Sequence, residues 1–494
     1  MRMPDPDDRV FRNRDALLAR LRRAVPGGVI AEEDARRPYE TDGLTAYRQL
    51  PLVVVLPSST AEVAETLRIC RGMGVKVVPR GAGTGLSGGA LPLADGVLLG
   101  LSKLNRILDI DYDNRTVTVQ PGVTNLGITH AVQHRGFYYA PDPSSQIACT
   151  IGGNVAENSG GVHCLKYGVT TNNVLGVEFV TMEGEVVRLG GKHLDPEGYD
   201  LLGVLNGSEG LLGVVTEVTV RILQKPETAR AVLLGFPSVE AGGAAVAAVI
   251  AAGIIPGGME MMDRPALNAA EDFVGAGYPR EAESLLIVEL DGPAAEVDHL
   301  IERVEAIARE NGAFYSRVSR SEEERAAFWS GRKNAFPAVG RIAADYMCMD
   351  GTIPRRALPQ VLRRMTEMQA EFGLRVANVF HAGDGNLHPL ILFDANQPGE
   401  LERAEAFGAA ILTLCVEVGG VLTGEHGVGV EKRDLMTVQF AAADLEQQQR
   451  LKCAFDPAGL LNPGKVFPLL HRCAELGRLH VPRGQLPFPD LPRF

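Results

Sequence analysis

Five glycines, Gly81, Gly83, Gly85, Gly88 and Gly89, fall within nine residues directly behind the apolar run Val75-Lys76-Val77-Val78. A stretch this rich in glycine cannot continue as a strand or a helix, so a strand must empty here into a tight loop with unhindered backbone N–H groups. The loop contains Gly83-x-Gly85-x-x-Gly88, a literal dinucleotide fingerprint. A Rossmann site also needs a helix opening at the loop and an acid about 20 residues on. Gly88, Gly89 and Pro92 forbid the helix, and the residues around Lys103 supply no acid. The Rossmann reading is rejected, while the exposed N–H groups still suit a pyrophosphate.

A second run, Thr150-Ile151-Gly152-Gly153-Asn154-Val155-Ala156-Glu157-Asn158-Ser159-Gly160-Gly161, follows Pro141-Asp142-Pro143-Ser144-Ser145. Its glycines again permit close backbone approach, and Asn and Ser offer polar contacts. Two such loops in one region imply a large nucleotide cofactor lying extended between them.

The alternation of elements sets the frame. Residues 52–56 read as a buried strand, and Ser59-Thr60-Ala61-Glu62 opens a helix that runs to about residue 73. Strands follow at 75–78, 97–101, 116–120, 174–181 and 214–222. After Pro226 the order becomes strand 231–236, helix 239–252, strands 258–262 and 285–290, helix 294–311 and strand 314–318. That β-α-β-β-α-β order is ferredoxin-like. A half-copy follows: strand 346–352, helix 355–372, a hairpin, and helix 400–418. One antiparallel sheet covered by helices would hold both. The Pro-rich tail, 481–494, reads as surface-hugging or loose.

The chain has 494 residues, 45% hydrophobic and 22% charged, which suits two or more globular domains. A net charge of −12 argues against nucleic acid as a partner and leaves no polybasic membrane patch. No apolar run approaches the ~20 residues of a membrane span, and the charged start lacks a signal peptide's apolar core. The expected location is cytoplasmic. The seven cysteines (70, 149, 164, 348, 415, 453, 473) form no Cys-x-x-Cys. An iron–sulfur cluster within the chain is therefore not expected, and the odd count argues against a disulfide framework. The ordinary role for most of them is that of a small buried hydrophobe.

Chemistry concentrates late in the chain, in His381-Ala382-Gly383-Asp384-Gly385-Asn386-Leu387-His388 and Thr423-Gly424-Glu425-His426-Gly427. Asp384-Gly385 is a hairpin signal. With that pair at the tip, His381 faces His388, with Cβ atoms roughly 5 Å apart. Two imidazoles so placed can share an ion, with Glu425 as a third ligand and an open fourth position. His426 is then free to act as a base. Histidines near turns are more often structural, and Asp-Gly-Asn is ordinary turn chemistry, so these residues alone leave the two readings balanced.

Taken with Lys166-Tyr167-Gly168 and Phe455-Asp456-Pro457-x-x-Leu460-Leu461-Asn462-Pro463-Gly464-Lys465, these motifs resemble the FAD-linked 2-hydroxy acid dehydrogenases of the vanillyl-alcohol oxidase/p-cresol methylhydroxylase (PCMH) superfamily. The likeness covers roughly residues 35–468. It is closest to the glycolate oxidase branch, with D-lactate and D-2-hydroxyglutarate dehydrogenases as relatives.

The resemblance implies an α+β fold: a two-lobed PCMH-type FAD-binding domain (1–225), a ferredoxin-like antiparallel-sheet cap carrying the substrate site (226–445), and a C-terminal segment returning to the flavin (446–494). It implies that Pro79, Arg80, Gly81, Ala82, Gly83, Thr84, Gly85, Gly88 and Gly89 cradle the pyrophosphate. Pro141, Asp142, Gly152, Gly153, Asn154, Ser159, Gly160 and Gly161 would support the phosphate and ribityl region, and Asn462 and Lys465 the isoalloxazine end. Some members attach FAD through a histidine in the first loop. Arg80-Gly81-Ala82-Gly83-Thr84 has neither histidine nor cysteine, so FAD is expected to be non-covalent.

The resemblance also assigns Arg332 to the substrate carboxylate, a role its fork geometry suits. It assigns His381, His388 and Glu425 to a zinc or manganese ion and His426 to the hydroxyl proton. Dicarboxylate-oxidising relatives carry a lysine where Cys348 stands and a threonine where Phe336 falls. Their replacement here favours a small monocarboxylate, glycolate or D-lactate. Alternatives are a D-2-hydroxyglutarate-type dehydrogenase, a non-redox enzyme like alkyl-dihydroxyacetonephosphate synthase, a metallohydrolase and a non-catalytic FAD-binding subunit. Related complexes add a second flavin-binding subunit and an iron–sulfur subunit. Such partners, or a quinone, are the expected electron acceptors, and would place the chain at the inner face of the membrane.

Overall fold

Three large sheets carry the chain in its computed structural model, which describes residues 3–194 and 198–468. In the first, Val53–Val55, Gly96–Gly100 and Lys76–Arg80 run parallel, and Val29–Ile30 adds an antiparallel edge. Val53, Val54 and Val55 are wholly buried, which is why that run shows no polar alternation. Helix Thr60–Met73 starts at Ser59, whose side chain accepts the Glu62 N–H, and stops at Gly74 with φ 67°.

The second sheet is antiparallel, in the order Ile107–Asp111, Thr116–Val119, Val214–Arg221, Val174–Val180, Val186–Gly190. Both glycine runs open beside these two sheets. The first follows Lys76–Arg80 directly. The second differs from the loop expected, because Ile151–Glu157 is a short helix, with Thr150 accepting the Gly153 N–H.

The third sheet has seven antiparallel strands, in the order Tyr315–Val318, Thr228–Phe236, Ser284–Gly292, Gly258–Asp263, Arg375–Phe380, Pro389–Phe393, Asp345–Cys348. The first four are the ferredoxin-like unit and the last three its half-copy, joined by the pairing of Met261 with Phe380. Helices Val239–Ala251, Ala294–Glu310, Leu358–Phe372 and Glu400–Glu417 pack their apolar residues with one face. The opposite face carries Arg264–Val274, Glu322–Lys333 and Ala335–Val339. Arg264–Val274 lies where the sequence suggested no helix; Asp263 caps it and Pro265 sits in its first turn.

After helix Ala442–Phe455 the chain returns to the first sheet. Val77 donates its N–H to Leu460, and Asn462 donates to Val77. Lys452 Nζ ties this turn together by donating to the carbonyls of Leu211 and Leu461 and to Asp456. The tail expected to be loose lies outside the described residues. Among those described, no helix is long and apolar enough to cross a membrane. Cys70, Cys149, Cys164, Cys348 and Cys415 are free and buried, as small hydrophobes would be.

Candidate active site

A cavity of about 390 Å³ runs between the two glycine loops and is lined as well by Phe336, Glu425 and His426. Pro79, Arg80, Gly81, Ala82, Gly83, Thr84, Gly85 and Gly89 form one wall; Gly152, Gly153, Asn154 and Ser159 belong to the other. A Cβ on Gly81 would stand 2.5 Å from Thr150 Oγ1, so only glycine lets the two loops come this close. Gly83 has φ +74°, a left-handed conformation that glycine adopts without strain. A cradle of open backbone at this spacing fits a dinucleotide's phosphates.

Several residues expected on the wall stand behind it. Gly88, Pro141, Asp142, Gly160, Gly161, Asn462 and Lys465 do not line the cavity, whereas Pro143, Ser144 and Ser145 do. Gly161 packs on the Asp142 backbone. Asn462 donates to the carbonyls of Gly89 and Glu209 (3.1 and 2.7 Å), and Lys465 donates to Leu91 O and Asn462 Oδ1 (2.8 and 2.6 Å). These two residues buttress the first loop from below.

The hairpin at 381–388 differs in register from the one the sequence suggested. His381 pairs with Asn386, not His388, and Ala382–Gly385 forms a four-residue connection. Tertiary bonds pull the connection open. Gly383 donates to Met259 O, and Arg355 Nε donates to Gly383 O at 2.5 Å. Gly385 has φ +84°, and a Cβ there would collide with Ile353 O. The imidazoles still converge, with ring centroids 4.9 Å apart.

Both rings aim at one carboxylate oxygen. His381 Nε2 lies 3.2 Å, and His388 Nε2 3.4 Å, from Glu425 Oε1. Tetrahedral ligands at about 2.0–2.1 Å from an ion stand about 3.3 Å from one another, so the spacing suits a shared cation. His388 Nε2 is buried between two carboxylates, 3.4 Å from Glu425 Oε1 and 3.5 Å from Asp350 Oδ1, without a well-formed hydrogen bond to either, an arrangement a bound cation would satisfy. A second grouping, Asp350, His388 and His426, is equally compact. Asp350, however, is already engaged: it accepts from Thr423 Oγ1 (2.5 Å) and from the N–H groups of Gly424, Glu425 and His426 (3.0, 3.2 and 2.8 Å). Glu425 is the freer carboxylate, and the first grouping fits an ion better.

Desolvation pushes the Glu425 carboxyl up, yet attraction from the neighbouring His381, strengthened by their hydrogen bond, holds it down at about 2. Burial outweighs the pull of Asp350 at His426 and, with His388 and Lys432 beside it, lowers this histidine to about 4. His426 is therefore neutral near pH 7 and able to accept a proton.

Arg332, in the last turn of Glu322–Lys333, is 4% exposed. It donates from Nε to Glu260 Oε2 at 2.8 Å, and its Nη2 lies 2.6 Å from the same oxygen. It does not line the cavity, whereas its neighbour Lys333 does, as does Arg80 on the first loop. Glu260 also meets His381 Nδ1, at 2.7 Å. Glu260 and Asp350, both beside the histidine cluster, are carboxylates that sequence reading missed, and Asp42, Glu157 and Glu209 on the cavity wall are others. Each of the first two is a single acid in an apolar strand context, Met259-Glu260-Met261 and Met347-Cys348-Met349-Asp350, and that isolation was the available signal.

Known proteins resemble this chain over its whole length. Residues 51–190 match the FAD binding domain family, and residues 225–466 match the C-terminal domain of FAD linked oxidases. Glycolate oxidase subunit GlcD of Escherichia coli K12 is 57% identical over 493 residues, spanning 100% of this chain and 98% of that protein. D-lactate dehydrogenase of Anaerostipes hadrus is 31% identical, spanning 91% of this chain and 97% of its own length. The structure of p-cresol methylhydroxylase superposes with a TM-score of 0.75 at 16% identity, covering 93% of this chain and 97% of that one. The chain belongs to the FAD-linked oxidase family and has the PCMH-type α+β fold.

Proposed function

We propose that this member of the FAD-linked oxidases oxidises a small 2-hydroxy acid, glycolate or D-lactate, to the 2-oxo acid. The observation that carries the reading is the convergence of His381 and His388 on Glu425, beside a neutral His426, at a cavity walled by two glycine loops. The names of the relatives, glycolate oxidase subunit and D-lactate dehydrogenase, point to the same substrate class.

When bound, FAD would supply the hydride acceptor, and a zinc or manganese ion would supply Lewis acidity toward the hydroxyl oxygen. The residues do the rest. His381, His388 and Glu425 would hold the ion. His426 takes the hydroxyl proton as the Cα hydrogen leaves with its electron pair, so one proton and one hydride part from each substrate molecule. Arg332, which stands just behind the wall, would offer its guanidinium to the substrate carboxylate, next to Lys333 on the wall itself. Phe336 narrows the cavity against His388, with ring centroids 6.4 Å apart, and no lysine stands at position 348. A short, singly charged acid suits that space.

In this reading residues 1–225 form the FAD domain, 226–445 the cap and 446–494 the returning segment. FAD is held without a covalent bond. The thiol on the cavity wall is Cys149, and burial raises its pKa, which leaves it a poor nucleophile. Acid precipitation should release all the flavin into the supernatant. The E. coli relative is named a subunit, which favours an iron–sulfur or second flavin-binding chain, or a quinone, as acceptor.

The test is anaerobic mixing of the purified yellow protein with glycolate and with D-lactate, before and after a chelator. Bleaching of the flavin band that chelation abolishes and zinc or manganese restores is the expected result. Flavin that neither acid bleaches would overturn the proposed substrate, and bleaching indifferent to chelation would overturn the ion.

A further inference from the structure

Glu260 stands between Met259 and Met261 in the strand Gly258–Asp263 and is 1% exposed. A carboxylate in such a place is costly unless donors meet its oxygens. Here the two oxygens divide their work. Oε1 faces His381 Nδ1 at 2.7 Å. Oε2 accepts from Arg332 Nε at 2.8 Å and lies 2.6 Å from Nη2. His381 belongs to the ion-holding half of the site and Arg332 to the anion-holding half, and they arrive on different elements, strand Arg375–Phe380 with its connection and helix Glu322–Lys333.

We propose that Glu260 is the positioning residue that joins the two halves, holding His381 as the Nδ1–H tautomer with Nε2 turned to the ion, and holding Arg332 by one edge. This role rests on the function proposed above. An imidazole that donates from Nδ1 keeps the lone pair of Nε2 for a metal, and a carboxylate at Nδ1 also makes that nitrogen the better ligand. On the other side, a guanidinium carries five N–H groups in a fixed fork. With Nε and Nη2 spent on Glu260, the Nη1 side remains for a second carboxylate. A single residue thus fixes the distance between the group that binds the substrate's carboxylate and the group that binds its hydroxyl oxygen.

Glu260→Gln tests this. An amide has one acceptor oxygen and one donor nitrogen, so it cannot accept from both His381 and Arg332. Zinc and manganese affinity of the FAD-loaded protein would be measured by equilibrium dialysis and elemental analysis, and KM and kcat for glycolate separately. The expected result is an affinity for the ion weakened about 10-fold or more, or, with the ion retained, a KM raised by a similar factor. FAD content should not change, because Glu260 does not line the flavin cavity. Glu260→Asp, which keeps both oxygens, should recover part of the loss. If Glu260→Gln fails to fold, Glu260→Asp is read by the same two quantities, where some loss is expected. Ion affinity, KM and kcat all unchanged in the variant would overturn the role while leaving the proposed function intact. Wild-type protein that takes up neither ion would overturn the proposed function and this role together.

Discussion

His388 and His426 lie face to face, their ring centroids 4.8 Å apart and their planes 4° from parallel. Two stacked imidazoles cannot both carry a proton cheaply, and burial acts in the same direction on His426. In the proposed function this would leave one ring to ligate and the other to accept a proton. His426→Gln should lower kcat by about 10²–10⁴-fold while FAD and ion contents stay at wild-type levels. With its pKa at about 4, His426 should keep the wild-type rate flat through neutral pH, with a fall only as the pH nears that value. Stopped-flow flavin reduction across pH checks both expectations, and a variant that reduces at the wild-type rate would remove His426 from the reaction.

Asp350 organises the loop on which both Glu425 and His426 sit. It is wholly buried, and its carboxylate gathers the Thr423 hydroxyl and three consecutive backbone N–H groups. Asp350→Ala strands those donors. A loss of about 3 kcal/mol or more in stability is expected, together with weaker ion binding, since Glu425 loses its support. Urea unfolding and dialysis against zinc measure the two effects. A variant that binds zinc as wild type does would show that the loop holds its shape without Asp350.

Much of this was legible in the sequence because it is local. Glycine runs, the Ser59 cap and the β-α-β-β-α-β order depend on neighbours within a few residues. The histidine pair was legible too, since seven positions and a turn bring His381 and His388 together. Its register was not. Whether Asp384-Gly385 closes a two-residue or a four-residue turn depends on Met259 O and Arg355, which hold Gly383 from distant parts of the chain. Helix Ile151–Glu157 was missed because Gly152 and Gly153 argue against helix, and capping by Thr150 outweighs them. Glu260 and Asp350 acquire meaning only when the strands pair. In sequence each is one acid among apolar residues.

Lys465 gives the fold a pH dependence of its own. Its ammonium group is fully enclosed beneath the first glycine loop. Burial outweighs the attraction of Asp42, Glu209 and Glu157, and brings it from 10.5 down to about 7. Between those values the unfolded chain holds a proton that the folded chain has released. Stability from this residue therefore rises with pH across that window and is least at its acid end. Against Lys465→Met, wild type should gain up to about 1.4 kcal/mol per pH unit on going from pH 7 toward pH 9. Paired urea titrations read the difference, and a constant gap between the two proteins would mean that Lys465 stays charged in the fold.

In the proposed function, substrate size would be set where Phe336 meets the histidine cluster. Its ring stands edge-on to His388 and to Tyr346, with centroids 6.4 and 6.2 Å away, and lines the cavity. Cys348 is buried at the end of strand Asp345–Cys348 and offers no charge to a second carboxylate. Phe336→Thr makes room, and Cys348→Lys adds a cation whose charge the nearby Asp350 can balance. The double variant should reduce its flavin with D-2-hydroxyglutarate at a kcat/KM raised about 10-fold or more over wild type, the scale of a pocket-sized change in contacts. Phe336→Thr alone should gain less, because room without a cation leaves the second carboxylate unpaired. Glycolate, which needs neither change, should lose efficiency as the ring that confines it is removed. Equal preference in all three proteins would place the specificity elsewhere, with Lys333 the next cation on the wall to change.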